Sequence, residues 1–473
     1  MSQQPFITDL LNELKLKYVD LLEDATKFYE EYDALFGLYA REKARIHEID
    51  EQVKTIHSYK EENGVFPQIK DQPDALTYLQ ELADIKQRTE QNLKQLEPKV
   101  FAGFEKRRAK LNKLSSLIVE NVVKEKDLTK FLTTIILRAP LAGDHTRCPS
   151  NEKAKPLYIA AMAAKFLMQL IEQDLVKESF IVDRYPELVE SKEHPGHKEL
   201  DPETLEVFKK DVLQPVIEAA LIHNIGSYSN DAQRIFRGNR YRELDENTRK
   251  DLVRIIYENT LNYLTYGLGS PKELSNTEDE SQHAVELQKF IFKQTLLANY
   301  SKAQHPLGNV IRIPMIYSAF MLSTKLKHDN LLAFRAYGIL KSGISKNIIH
   351  KDFGEIFKQM VGRYPLGAGL FFISKETHVP ERAVVTGLNP PNENCAIVKQ
   401  LTRRQLQFDD HTQIKVTPQF LIDNEVARTE SDFGPEYYKK QFPKGYYWNP
   451  AELWERDIDQ KRFWRRDNQY KEN

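Results

Sequence analysis

The feature that most constrains this chain is an apolar seam near its N-terminus. Ile7, Leu11, Leu14, Tyr18, Leu21, Ala25, Phe28, Tyr32, Leu35 and Tyr39, then Ile46, Ile49, Val53 and Ile56, follow in alternating steps of four and three, broken only at Glu42. A strand turns its side chains over every second residue, so this spacing fits a long helix laid against a partner helix. The aromatic members are bulky for a two-stranded coiled coil, which leaves two arrangements open, an intramolecular bundle and a homodimer. Gly64, Pro67 and Pro73 in "ENGVFPQIKDQPDA" end the run, because they disfavour a continuing helix.

A second helix is expected from about 75 to 96, with Leu76, Leu79, Leu82, Ala83, Leu93 and Leu96 as its apolar positions and "EPK" closing it. A third, over about 100–123, carries the basic run "EKRRAKLNK". Without interleaved aromatics that run reads as a solvated helix face, not a nucleic-acid contact. Residues 1–124 thus form a helical hairpin or coiled-coil region. From "DLTKFLTTIILRAPLAG" onward the helices become shorter and more apolar, with expected spans of 157–173, 204–223, 247–266, 283–299, 311–326 and 330–342. The polar loop between the first two holds His194-Pro-Gly-His197. Its Pro and Gly prevent a helical ligand pair and no Cys is near, so it reads as a solvated loop.

After about residue 365 the period drops to two. "AGLFFISK", "RAVVTGLN", "CAIVKQLT" and "HTQIKVTP", separated by turns such as "NPPNEN" and "FDDH", predict a small antiparallel sheet of three or four strands. The remaining tail, rich in Tyr, Trp, Lys and Arg, suits a segment wrapped on its own domain. The expected fold class is therefore mainly α: an N-terminal helical bundle or coiled coil, then an all-helical domain ending in a small antiparallel β-sheet. The expected division is 1–124, 125–405 with the sheet from about 366, and 406–473 for the last strand and tail.

Composition bounds the partners. Lys and Arg (68) nearly cancel Asp and Glu (69), so no global field draws the chain to nucleic acid or anionic lipid. Cys148 and Cys395 stand alone, without a C-x-x-C or Cys/His cluster, as in a reducing compartment. No basic leader precedes an apolar run and no stretch of about 18 consecutive apolar residues occurs, so the expectation is a cytoplasmic protein with no membrane insertion.

One long ordered motif points to a family. In residues 348–398 a helix leads to Tyr364, Pro365 and Gly367, a strand, Glu376 in a turn, a second strand with Val384 and Val385, then Asn389 and Pro390. This resembles the HD-GYP family of bacterial phosphodiesterases that hydrolyse cyclic di-GMP. "AALIHNIG" (219–226) falls where that family has Ala-Ala-x-x-His-Asp-Ile-Gly, and "RIPMIYSAFMLS" (312–323) where it has a helix bearing a metal-binding Asp. The resemblance covers roughly residues 125–405 and implies a helical HD-type domain.

The same resemblance implies a lost metal centre. Phosphodiester cleavage of this kind needs two or three ions held by imidazoles and carboxylates, to generate hydroxide and clamp phosphate oxygens. Here the His-Asp pair is His223 and Asn224, followed by Gly226, and an amide lacks the charge that bridges metals. The first family histidine falls near Asn151 or Glu152, a later one near Glu258 or Asn259, and the late Asp on Ser318. The paired histidines are missing from "KQTLLANYSKAQHPLGN", where His305 stands alone. The expectation is a catalytically inactive regulator or scaffold without metal or cofactor, with His223 a buried core residue at a helix end. Protein partners or a homodimer would use the N-terminal helices. Cyclic di-GMP binding, if retained, would use cations such as Arg312, Lys325 and Arg335, with Lys327 and Arg363 nearby. The alternative is an active phosphohydrolase with an atypical site drawn from Asp144, His145, His223 and His305.

Overall fold

The structure is a computed structural model that describes residues 6–69, 74–123, 125–190, 198–271, 280–401, 413–454, 463–464 and 470–472. His194, His197 and the expected turn at 408–411 lie outside the described residues. The chain is mainly helical and ends in a small sheet.

The N-terminal seam divides between two helices, α1 (Ile7–Glu30) and α2 (Gly37–Asn63), joined by a π-helical turn over Tyr32–Phe36. Gly64, at φ 73°, ends α2 and donates its N–H to the Lys60 carbonyl. Helix α3 (Ala75–Val122) begins where the Asp74 carboxylate accepts the Thr77 N–H at 2.8 Å. It runs antiparallel to both, because the ion pairs Asp50–Lys86, Asp24–Lys106 and Asp20–Lys110 progress in opposite directions along the partners.

Two expectations fail on α3. The helix does not stop at "EPK": Pro98 lies inside it. An interior proline costs about 3 kcal/mol, and burial of Leu93, Val100 and Phe104 on either side offsets that. Nor is the basic run wholly solvated. Arg107 is only 6% exposed, and its Nε donates to the Gly267 carbonyl at 2.6 Å. Lys106 and Lys110 pair with Asp24 and Asp20 of α1, so the run fastens α3 to its neighbours.

The apolar side of α1 is buried against α3, α4 (Glu125–Leu137) and α5 (Arg147–Glu172). One buried apolar cluster runs from Ile7 to Trp464 and crosses the 124/125 boundary expected from sequence. The distal part of the α2–α3 hairpin has its own small cluster around Ile49, Ile56 and Leu82.

Helix α5 is the axis of the fold. It starts ten residues earlier than expected and carries Pro156 in its interior, with α1, α4, α8, α12 and α14 packed around it. By length and composition it could cross a membrane, but most of it is buried inside the protein. After it come α6 (Ser179–Val182) and two short antiparallel strands, β1 (Leu188–Glu190) and β2 (Lys198–Leu200), in the segment expected to be only loop. Helix α7 (Pro202–Phe208) continues through a π-helical turn into α8 (Gln214–Ile222). Then follow α9 (Asn230–Phe236), α10 (Glu246–Asn262), α11 (Glu280–Asn299), α12 (Pro306–Met321), α13 (Ala336–Ser345) and α14 (Lys351–Val361).

The four strands expected from sequence form the middle of the sheet: β3 (Gly369–Ile373), β4 (Pro380–Val385), β5 (Ala396–Leu401) and β6 (Gln413–Val416), each antiparallel to the next. The tail adds two more that sequence did not suggest. Strand β7 (Tyr447–Trp448) pairs antiparallel with β3, and β8 (Tyr470–Glu472) pairs parallel with β6. Short helices α15 (Glu425–Thr429), α16 (Pro435–Gln441) and α17 (Ala451–Trp454) complete a tail that wraps the domain, with Trp454, Phe463 and Trp464 buried in the main core.

Candidate functional site

Helix α8 is buried from Pro215 to Ile222 and apolar there except at Glu218, which pairs with Lys293 at 2.8 Å and accepts from the Ser115 hydroxyl, and it ends at His223. The chain then turns through Asn224 into a 3-10 turn, Ile225–Tyr228. Gly226 is required there. A Cβ at that position would sit 2.1 Å from the Ile256 carbonyl oxygen, and the Gly226 N–H donates to Thr260 Oγ1 at 3.1 Å. This glycine sets how closely the turn approaches α10. Helix α1 holds the same region from the other side: the Tyr18 hydroxyl donates to the Leu221 carbonyl, and Asn230 Nδ2 to the Tyr29 carbonyl.

His223 is 6% exposed, and its Nδ1 lies 2.7 Å from the Ala220 carbonyl oxygen. A carbonyl can only accept, so Nδ1 carries the proton and Nε2 keeps a lone pair. Burial, with the nearby Lys155 ammonium adding to it, lowers the ring to about 4. The imidazole is therefore neutral at ordinary pH.

A cavity of about 230 Å³ opens beside it, lined by α5 (Glu152, Lys155, Pro156), the turn after α8 (His223, Asn224, Ser227), the α9 region (Phe236, Arg240, Tyr241), Ile256, Met315 and Thr324. Glu152 is fully engaged. It accepts from Arg240 Nη2 at 2.7 Å and Nε at 3.0 Å, and from the Tyr241 hydroxyl at 2.6 Å. Arg240 also donates to the Ser227 carbonyl and hydroxyl, and it lies over the Tyr228 ring. Lys155 is different: among the described residues no carboxylate or hydrogen-bond acceptor pairs with it, and burial lowers it to about 8.

The structure scatters much of the set singled out from sequence. Asn224 lines the cavity, exposed, its amide 3.5 Å from Ser227 Oγ. Gly226 is a packing residue. Ser318, fully buried, donates to the Met315 carbonyl within its own helix. Asn151 donates to the Ser323 carbonyl, and Glu258 pairs with Arg254 on the surface of α10. The atypical catalytic set does not assemble: the His145 side chain is 96% exposed, Asp144 caps the Thr146 turn, and His305 caps α12 by accepting the Gly308 N–H. Among the described residues no three His, Cys, Asp or Glu stand close enough to hold a metal ion.

The expected nucleotide cations also lie elsewhere. Arg312 donates to the carbonyls of Ile348, Tyr300 and Ser301, while Lys325 and Arg335 are exposed and do not line the cavity. Lys155 and Arg240 are the cavity's cations, and sequence reasoning passed over both. Single basic residues at helical spacing look like surface charges, and no motif marks them. Cys148 and Cys395 are buried free thiols. No protein-family model, curated protein or solved structure matches the chain.

Proposed function

We propose that the chain is a non-hydrolytic regulatory or scaffold protein, a degenerate relative of the HD-GYP phosphodiesterases whose helical core is kept for binding and not for metal chemistry. One observation carries this reading: the cavity beside His223 presents one neutral imidazole, one amide, one ammonium and a carboxylate already spent on Arg240. A hydrolytic centre of the HD type needs several carboxylates and imidazoles facing one point. An ammonium there opposes a divalent cation by simple repulsion.

The distal α2–α3 hairpin is the proposed surface for a protein partner. Its apolar cluster is separate from the main core, and Tyr59, Val65 and Leu76 remain exposed there. Output would pass through this hairpin to a signalling partner, in the setting of cyclic di-GMP control that the resemblance implies.

Metal analysis of the purified protein, together with an assay of cyclic di-GMP hydrolysis, tests the central point. The expected result is no stoichiometric Mn, Fe or Zn and no turnover. Bound metal that tracks with turnover and disappears in His223→Ala would overturn the reading.

A further inference from the structure

We propose that the cavity beside His223 is a binding site for a small phosphate oxyanion, held on the ammonium of Lys155. The proposal rests on the non-hydrolytic reading of this cavity and adds the class of ligand that it takes.

The cavity is lined by one acid, Glu152, and two bases, Lys155 and Arg240. Glu152 and Arg240 neutralise one another through two contacts, at 2.7 and 3.0 Å. His223 contributes nothing, because its burial keeps it neutral. The remainder is one positive charge on Lys155 with no countercharge among the described residues. Buried charges are ordinarily paired, and the partner that this one lacks is an anion.

Shape and donors agree with that. A space of about 230 Å³ admits a phosphate group together with ordered water. Asn224 and Thr324 also line the cavity and add an amide and a hydroxyl as hydrogen-bond donors. Tyr241 and Arg240 are fixed by Glu152, so the wall is rigid before a ligand arrives. A divalent cation would meet the Lys155 ammonium, and an apolar ligand would leave that ammonium desolvated and unpaired.

Anion binding must also move a proton. Lys155 is lowered to about 8 by burial, so near pH 8 the empty site is only partly protonated. A phosphate oxygen beside it favours the charged form. Binding at pH 8 therefore takes up protons, and binding near pH 6 takes up almost none at this group. Glu152, His223, Arg240 and Tyr241 face the same space; His223 is held well below those two values by burial and Tyr241 is raised by burial and by Glu152, so neither of these two takes up the proton.

The test is calorimetric titration of the metal-free full chain with inorganic phosphate at pH 8, in two buffers of different ionisation enthalpy. The expected result is saturable binding with proton uptake. Lys155→Met should weaken it by at least about tenfold and abolish the proton uptake, while the melting temperature stays at or above that of the parent. Lys327→Met, an exposed control, should bind as the parent does. No saturable binding at millimolar phosphate would overturn the proposal, as would a Lys155→Met protein that binds unchanged. The metal and hydrolysis assays read the non-hydrolytic assignment separately, so each can fail without the other.

Discussion

Two lysines in this protein are held well below their ordinary value by burial, and the chain treats them differently. Lys399, on β5, is 1% exposed, donates to the Phe463 carbonyl at 2.9 Å and faces the rings of Phe463 and Trp464 at 5.3 and 5.2 Å. Burial, with Lys130 adding to it, lowers it to about 8. Lys155, on α5, is lowered to about the same value, and among the described residues no carbonyl, ring or carboxylate pairs with it. At the sheet, a folded tail completes the ammonium's surroundings, so the charge serves structure. At the cavity the surroundings stay incomplete, so the charge is left for something from outside.

The largest expected way to break this contrast is Phe463→Ala. It removes a fully buried ring and should cost about 3 to 5 kcal/mol, read by denaturant unfolding. Water reaching Lys399 should return it toward its ordinary value. If stability is unchanged, the tail is not what holds this lysine.

A second test adds a charge to the cavity. His223 has a folded value near 4 against 6.5, so its proton binds more readily to the unfolded chain, and stability at this site is lost as pH falls from about 6.5 through 4. The loss amounts to roughly 3 kcal/mol. His223→Leu should flatten that part of the stability profile between pH 4 and 6.5. An equally steep profile in the variant would place the acid sensitivity elsewhere.

The smallest effect has the opposite sign. Lys155 also has a depressed folded value, so below about 8 its charged form counts against the fold, and the penalty fades as pH rises through 8 toward 10.5. The full shift would correspond to roughly 3 kcal/mol, but Lys155 is only partly buried and solvent screens it, so Lys155→Met should stabilise the chain by about 2 kcal/mol at pH 7. The gap between variant and parent should close by pH 10. A destabilised variant would show that Lys155 has an internal partner after all, which would make it a second Lys399.

The fold class was readable because its signals are periodic. Ile7 to Ile56 announced helices, the runs from Ala368 to Val416 announced strands, and both are where the pattern put them. One proline misled: Pro98 looked like a helix end, yet it lies inside α3, where burial of Leu93, Val100 and Phe104 on either side outweighs one lost hydrogen bond. The tail strands were invisible, because β7 and β8 are too short to show a period. Of the site, His223 and Asn224 stood out through their order in a motif. Lys155 did not, since its meaning lies in what is absent around it, and the sequence gives no sign of an absent partner.

The placement of β7 and β8 has a further consequence. They occupy the two outer positions of the sheet, beside β3 and β6. An uncovered sheet edge offers a row of unsatisfied N–H and C=O groups to any passing chain. β7 and β8 are therefore the sheet's guard against joining other sheets, and because Trp454, Phe463 and Trp464 share the tail with them, losing the tail would expose both borders and open the main core together.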